Sequence, residues 1–319
     1  MRKDFPVAFA AFKRSRLAFV ALAATFTFAC GAVPASVQAT VEPTATIHYT
    51  PAPTATPRPV VITPAPTATP VPGPNFDELP AAANNPGDLA KQIIATEWAL
   101  RDPAATNKQL AWYGHLEQLT LGRLADFPEW RDAVLGELPE SLRIAYAGTM
   151  DAGKQLRLLA GPIPTRLPDW KIVEPASIDE LMGFYKEAEA TFGVPWYYLA
   201  SIHLVETRMG RIRGLSSAGA QGPMQFMPAT WAAYGKGDIN DNHDSILGAA
   251  RYLKANGAPD NMQKALFAYN HSQFYVNALI GYAEVMKNDP LAYRGYHGWQ
   301  VYYPTKDGPV LLATGWEKT

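Results

Sequence analysis

Cysteine is nearly absent from this chain, since Cys30 is the only one in 319 residues. A lone cysteine excludes a disulfide within the chain. An excess of charge is also missing: the formal net charge is -1 and no basic cluster stands in the part expected to fold. Nucleic acid is therefore not expected as a partner. The apolar run at residues 17–29 is too short for a comfortable membrane span.

That apolar run has the length of a secretory hydrophobic segment. Basic residues precede it, namely Arg2, Lys3, Lys13, Arg14 and Arg16. The pattern predicts a signal peptide at 1–29 and an exported protein. Cys30 follows directly, and an unpaired thiol in an exported protein asks for an explanation. We expect Cys30 to carry a lipid anchor that holds the protein at the membrane. The alternative is an ordinary signal peptide cut nearby, which leaves the protein secreted.

Residues 30–76 are rich in Pro, Thr, Ala and Val, and the octapeptide TPAPTATP occurs twice, at 50–57 and 63–70. Such a composition cannot bury a core, so it predicts a disordered, extended polyproline-type linker. At about 3.1 Å per residue, the linker would reach on the order of 100 Å.

Folded structure is expected to resume near residue 77, helical patterns run from Asp88 onward, and the fold is predicted to be mainly α. Residues 77–168 form a helical N-terminal domain that ends at the proline-rich run 161–168, and a second helical domain spans 169–295. Residues 296–319 form a C-terminal β-hairpin extension around a Gly-containing turn. Four side chains of the N-terminal domain are expected in its core because of their helical spacing, with contact to glycan as the alternative: Trp98, Trp112, His115 and Trp130.

The segment 193–210 carries the most informative carboxylate. Pro195 suits the first turn of a helix and Gly210 suits its end. Apolar residues between them recur at helical spacing and predict one buried face: Tyr198, Leu199, Ile202, Val205 and Met209. Glu206 lies beside this face near the negative end of the helix dipole, and both surroundings raise a carboxyl pKa. Such a group can act as a general acid, although an exposed surface Glu gives the same pattern.

A glycine-rich segment, SSAGAQGPMQFMP, follows at 216–228. Gly219, Gly222 and Pro223 interrupt regular structure and predict a tight loop that brings backbone groups close to a ligand such as a sugar. Ser216 and Gln225 offer polar side chains. Apolar contact is offered by Met224, Phe226 and Met227, and a helix is expected from Pro228 to Tyr234. A purely structural turn between two helices remains the alternative.

Four segments carry a resemblance to a known family. They are VET at 205–207, SxxGAxGxMQxMP at 216–228, GAAxYL at 248–253 and AYN at 268–270. Their order resembles that of the lytic transglycosylases of the soluble and B-type membrane-bound families, over about residues 175–290. The resemblance implies a goose-lysozyme-like catalytic domain within 169–295, and peptidoglycan glycan strands as the substrate. A long tether suits an enzyme that is anchored at a membrane and acts on the wall beyond it.

The resemblance also implies roles for single residues. Glu206 matches the single catalytic acid/base. Ser216, Gln225 and Met227 match residues that line the muramic acid subsite. Tyr269 and Asn270 match the pair that closes the cleft beside the Glu. The sequence departs from the usual family pattern at three positions, Thr207, Pro223 and His271.

The number of carboxylates bears on the reaction. A hydrolytic glycosidase normally uses two carboxylates, about 5 Å or about 6.5–9.5 Å apart, whereas only Glu206 is placed for this work here. One Glu suffices if the substrate supplies the nucleophile, its own C6 hydroxyl, and the product is then a 1,6-anhydro sugar. A goose-type lysozyme hydrolase and a non-catalytic wall-binding lipoprotein are the alternatives, and no cofactor is expected.

Three aspartates stand together between the second and third of the four segments, at Asp238, Asp241 and Asp244. They are expected to form Asx turns and to cap a helix that starts at Ser245. The spacing of an EF-hand loop fails here, because His243 and Ala249 occupy the places of the required Gly and Glu. No metal site is therefore predicted.

Overall fold

The computed structural model describes residues 73–318. The predicted signal peptide, Cys30 and residues 30–72 of the predicted linker lie outside the described residues. Within them, eleven α-helices and two small antiparallel strand pairs confirm the mainly α fold with a C-terminal hairpin. No helix between residues 73 and 318 is long and apolar enough to cross a membrane.

The N-terminal helices begin at sequence-encoded caps. They are α1 (Pro86–Arg101), α2 (Asn107–Asp126), a 3₁₀ turn (Pro128–Trp130), α3 (Arg131–Glu137) and α4 (Glu140–Leu159). The Asn85 side chain accepts from Asp88 N at the start of α1. Thr106 and Gln109 form a reciprocal capping box at the start of α2. Such caps satisfy backbone N–H groups that have no partner within the helix, which fixes where each helix starts.

The core position predicted for Trp98 is wrong, since this side chain is 52% exposed. The buried stripe of α1 runs through Leu89, Ile93, Glu97 and Leu100, which leaves Trp98 about 100° away around the helix. Glu97 occupies the buried position instead, and its Oε2 forms an ion pair with Arg101 Nη1 at 2.5 Å. His115 is buried as predicted, whereas Trp112 and Trp130 are only partly buried.

The second half of the chain wraps further helices around a central one, α6. Its elements are β1 (Lys171–Ile172), α5 (Ile178–Phe192), α6 (Trp196–Thr207), β2 (Ile212–Arg213), α7 (Pro228–Tyr234), α8 (Asn242–Ala255), α9 (Met262–Tyr269), α10 (Gln273–Asn288) and α11 (Ala292–Gly298). Helix α10 packs against both α4 and α6, and α5 packs against α8. One continuous apolar core contains residues from α1 through Trp299, and residues 76–318 fall in one compact unit. The domain boundary at 168/169 stays a prediction.

Helix α6 corrects two expectations. It ends at Thr207 rather than at Gly210, because Arg208, Met209 and Gly210 all have left-handed backbone angles, with φ values of 54°, 59° and 81°. Met209 therefore does not lie on the helix. The helix is also buried nearly all round rather than on one face, since only Tyr197, Tyr198 and Glu206 are partly exposed.

Two strand pairs complete the fold. Strands β3 (Val301–Tyr303) and β4 (Val310–Leu312) form the predicted hairpin, and β1 pairs with β2. The two pairs share a small apolar cluster whose members are Trp170, Ile172, Ile212, Val301, Tyr303 and Leu312. The hairpin also meets α2, where Gln118 exchanges two hydrogen bonds with the Gln300 backbone. It therefore connects the end of the chain to both halves.

Candidate active site

Glu206 lies in the last turn of α6, and one oxygen of its carboxyl, Oε1, accepts a hydrogen bond from the Tyr275 hydroxyl at 2.5 Å. Burial raises the pKa of Glu206 to about 7, and the hydrogen bond from Tyr275 opposes that rise only in part. The buried residues of α6 exclude water from its surroundings, which disfavours the charged form. A carboxyl with this pKa is about half protonated at neutral pH, so it can both give and take a proton.

Tyr275 is a site residue that sequence reasoning missed. It lies in the first turn of α10, is fully buried, and packs among apolar neighbours. Its spacing relative to Val276 and Leu279 is that of an ordinary core residue, so the pattern gave no sign of a polar role. Only the packing of α10 on α6 brings its hydroxyl to Glu206.

Tyr269 lies close to the same carboxyl. The charge on Glu206 is among the causes, after burial, that raise the pKa of Tyr269 well above its usual value. The Tyr269 hydroxyl donates to the Met224 carbonyl at 2.6 Å, and its ring packs against Phe226. Tyr269 thus ties α9 to the loop that the sequence singled out.

That loop turns sharply beside the site. Gln221 and Phe226 exchange two backbone hydrogen bonds of 2.8 Å, and Gly222 and Gln225 within the turn have positive φ values of 74° and 50°. A positive φ is uncommon for a residue other than glycine and marks strain that functional sites often hold. The Gln225 amide nitrogen donates to the Gly222 carbonyl at 2.9 Å, which holds the turn.

Ser216 and Met227 lie at the two ends of the same segment. The Ser216 hydroxyl oxygen accepts from the N–H groups of Ala218 and Ala220, at 3.2 Å and 2.9 Å. It closes the loop and keeps its own hydrogen for a further acceptor. Met227 stands just before α7 and is 38% exposed, so its thioether side chain can contact a ligand.

Asn270 has an unusual side chain. Its Oδ1 atom is buried and has no hydrogen-bond partner within residues 73–318. The residue ends α9 directly after Tyr269. A buried acceptor without a partner costs free energy and calls for an explanation, such as a ligand group that the site is built to receive.

The three aspartates are engaged in local structure, as predicted. Asp241 accepts from Asp244 N at 3.0 Å and caps α8, which consequently starts at Asn242 rather than at Ser245. Asp238 accepts from Asn240 N, and Asp244 accepts from Asp238 N. Among residues 73–318, Asp241, His243 and Asp244 could together offer a metal three ligand atoms, which lie within 4.8 Å of one another.

Comparisons with known proteins find similarity to one family and one curated protein. The family model described as the transglycosylase SLT domain matches residues 183–290. Membrane-bound lytic murein transglycosylase F from Thiobacillus denitrificans (strain ATCC 25259 / T1) is 30% identical over 124 residues, which is 36% of this chain and 26% of that protein. The chain thus spans about a quarter of the length of this curated relative. No solved structure gives a significant match. The matched residues include Glu206, the glycine-rich loop, Tyr269, Asn270 and Tyr275.

Proposed function

We propose that this protein, whose residues 183–290 match the transglycosylase SLT domain model, is a peptidoglycan lytic transglycosylase with Glu206 as its single acid and base. The observation that carries this proposal is the carboxyl of Glu206, with a pKa raised to about 7 and a hydrogen bond from Tyr275. In support of this proposal, the curated relative from Thiobacillus denitrificans is itself called a lytic murein transglycosylase.

The reaction needs one proton donor that later becomes a proton acceptor. In the first step Glu206 gives its proton to the oxygen that bridges MurNAc C1 and GlcNAc C4, and the C1–O bond breaks. In the second step the muramic C6 hydroxyl attacks C1 and passes its proton to the Glu206 carboxylate. One bond to C1 breaks and one forms, no water is consumed, and Glu206 returns to its starting state. The product carries a 1,6-anhydro-muramic acid end.

A pKa near 7 suits both steps. An ordinary Glu, with a pKa near 4.5, would be almost fully ionised at neutral pH and would hold no proton for the leaving oxygen. The Tyr275 hydrogen bond limits the rise in pKa and fixes the carboxyl in one orientation. Because Tyr275 donates to Oε1, Oε2 is the oxygen that we propose faces the substrate.

The other residues of the site are proposed to bind the glycan. Asn270 offers the buried Oδ1 that has no partner among the described residues, and it suits a hydroxyl or amide N–H of the sugar. Gln225 and Ser216 offer polar groups from the strained loop, and Met227 offers exposed apolar contact. Tyr269 closes the site by joining α9 to that loop.

The location of the enzyme follows from the N-terminal sequence. We propose that the protein is exported, that Cys30 carries a lipid anchor, and that the linker at 30–76 lets the folded part reach the wall. The name of the curated relative describes that protein as membrane-bound, which agrees with such an anchor.

Replacing Glu206 by Gln tests the assignment of the acid and base. Glu206→Gln keeps the size and hydrogen bonding of the side chain but cannot cycle a proton, so turnover on purified glycan strands should fall by roughly 100-fold or more. Glu187→Gln is the matched control, because Glu187 is exposed on α5 and pairs with His243. It should keep its turnover. Near-normal turnover of Glu206→Gln would contradict the assignment of Glu206 as the acid and base.

A further inference from the structure

The backbone directly after Glu206 is strained. Helix α6 ends at Thr207, and the next two residues, Arg208 and Met209, have left-handed conformations although neither is glycine. Each such residue costs free energy and persists only where its surroundings hold it in place. The position of Glu206, two residues before Arg208, therefore depends on what holds this turn.

The side chain of Arg208 supplies part of that hold. It is 4% exposed and folds back along α6, where its Nη1 donates to the Leu204 carbonyl at 2.7 Å. The backbone N–H of Arg208 binds the same carbonyl at 3.2 Å. Leu204 is one residue before Val205 and two before Glu206, so both contacts act on the turn that carries the carboxyl.

The ring of Trp299 packs against the guanidinium group of Arg208. The guanidinium carbon of Arg208 lies 5.8 Å from the centre of the Trp299 ring, a distance typical of a cation–π contact. Trp299 follows α11, is 1% exposed, and its ring also packs against Tyr282 and Tyr296. A buried ring in such surroundings has little freedom to move.

Glu117 of α2 fixes the orientation of this ring. The Trp299 Nε1–H donates to Glu117 Oε2 at 2.8 Å, and both side chains are buried. Glycines allow α2 and α11 to approach closely enough for this hydrogen bond. A Cβ on Gly114, one turn before Glu117, would lie 2.7 Å from the Cα of Gly298. Neither Glu117 nor Trp299 lies within residues 183–290, which match the transglycosylase family.

We infer that Trp299 is a positioning residue for Glu206: held by Glu117 of α2, it clamps Arg208 and so keeps the last turn of α6 in the geometry that aims the carboxyl. This gives the N-terminal helices a role in the reaction without any contact to the substrate. This role of Trp299 rests on the proposed transglycosylase reaction. The contacts among Glu117, Trp299 and Arg208 are observed independently of that proposal.

Two substitutions at position 299 test the inference. Trp299→Leu removes both the ring face and the N–H, and kcat should fall by between about 10-fold and 100-fold with little change in KM, because misplacement of a reacting group affects turnover. Trp299→Phe keeps a ring face for Arg208 and should recover much of that loss. It also gives a folded variant if Trp299→Leu does not fold. A kcat within twofold of wild type in both variants would overturn the inference, as would a change in KM alone.

The variant Val134→Ala distinguishes a positioning role of Trp299 from a purely structural one. Val134 is fully buried on α3, which packs against α1 and α4, so its truncation lowers stability without touching Trp299 or Arg208. At a temperature where each protein is folded, Val134→Ala should keep kcat while Trp299→Leu should not. An equal loss of kcat in the two variants would contradict positioning.

Titration of the Glu206 carboxyl, followed by carbon NMR, gives a readout that needs no activity. If the turn loosens in Trp299→Leu, water should reach the carboxyl and its pKa should fall from about 7 toward the ordinary value. An unchanged titration together with unchanged kcat refutes the clamp. If the wild-type protein has no transglycosylase activity, the titration alone decides, so failure of the proposed function and failure of the clamp remain distinguishable.

Discussion

The carboxyl of Glu206 is subject to two opposing influences. Burial among the residues of α6 raises its pKa, and the Tyr275 hydroxyl lowers it by a smaller amount. In the proposed reaction, the first influence would supply a proton at neutral pH, and the second would keep the conjugate base accessible for the return step. Because the pKa in the folded state differs from the ordinary value, the same carboxyl must also affect stability.

The free energy of unfolding should therefore depend on pH through this residue. Between pH 4.5 and 7 the unfolded chain has lost the Glu206 proton while the folded protein retains it, so the stability contribution is fully present below pH 4.5 and is lost as pH rises to 7. The expected loss is on the order of 1–3 kcal/mol. It should be absent in Glu206→Gln.

Urea denaturation of both proteins from pH 4 to pH 8 measures this effect. Other titrating groups are shared, so the difference between wild type and Glu206→Gln isolates the single carboxyl. Wild type should lose stability relative to the variant across the window. A difference that stays constant with pH would mean that Glu206 has an ordinary pKa.

Single residues were predicted from sequence to an uneven extent. The raised pKa of Glu206 was expected from its helix position, and the tight loop was expected from Gly219, Gly222 and Pro223. The interest in Glu206 as an acid and base, and in Tyr269, came from the family resemblance. Tyr275 could not be found, because a buried tyrosine at helical spacing is identical in pattern to a core residue. The core position predicted for Trp98 was wrong for a related reason. Helical periodicity does not show that the charged Glu97, which is paired with Arg101, occupies the buried position.

Elements were predictable where local chemistry fixes their ends. Pro228 opens α7, Asp241 caps α8, and a Gly-containing turn joins β3 to β4. The end of α6 was placed three residues too late, since Arg208 and Met209 adopt conformations that glycine would normally take. Tertiary contacts hold these residues in place, and local propensity carries no record of them.

The close contact between α2 and α11 gives a prediction at this scale. A Cβ on Gly114 would lie 2.5 Å from the carbonyl oxygen of Gly295. Because this oxygen belongs to the backbone of α11, α2 and α11 must move apart to accommodate the Cβ. Gly114→Ala should lower the free energy of unfolding by about 1–3 kcal/mol, as overpacking usually does.

Gly183→Ala is the matched control. Gly183 lies inside α5 and has open space where a Cβ would stand, so alanine should raise stability by up to about 1 kcal/mol. Chemical denaturation of the two variants gives both numbers. Equal stability of Gly114→Ala and wild type would show that α2 and α11 are not packed as closely as described.

At the scale of the whole molecule, a single core joins the N-terminal helices to the helices that carry the site. Sequence reasoning gave the N-terminal segment no function, because its contacts with Trp299 and the hairpin join residues more than 180 positions apart. Such pairings leave no pattern in a local window of sequence. The mainly α fold, in contrast, could be predicted from periodicity.

Attachment to the membrane is predicted to depend on Cys30. If this thiol is acylated, the exported Cys30→Ser variant should leave the membrane fraction and lose incorporated lipid label, while its activity on purified glycan stays unchanged. A single acyl chain binds membranes only weakly, so label incorporation is the sharper readout. An unmodified protein that is already soluble and unlabelled would favour ordinary signal cleavage and secretion.

The mass of the product tests the central claim most directly. Peptidoglycan digested by the purified protein should yield muropeptides that end in 1,6-anhydro-muramic acid, one water lighter than hydrolytic products and resistant to borohydride reduction. This outcome is expected because, in the proposed reaction, Glu206 deprotonates a bound C6 hydroxyl, whose proximity favours its attack over that of water. Reducing muramic ends as the main product would contradict the account. They would favour a goose-type lysozyme reaction, with Asp238 and Asp241 as the first residues to test for a role in holding water.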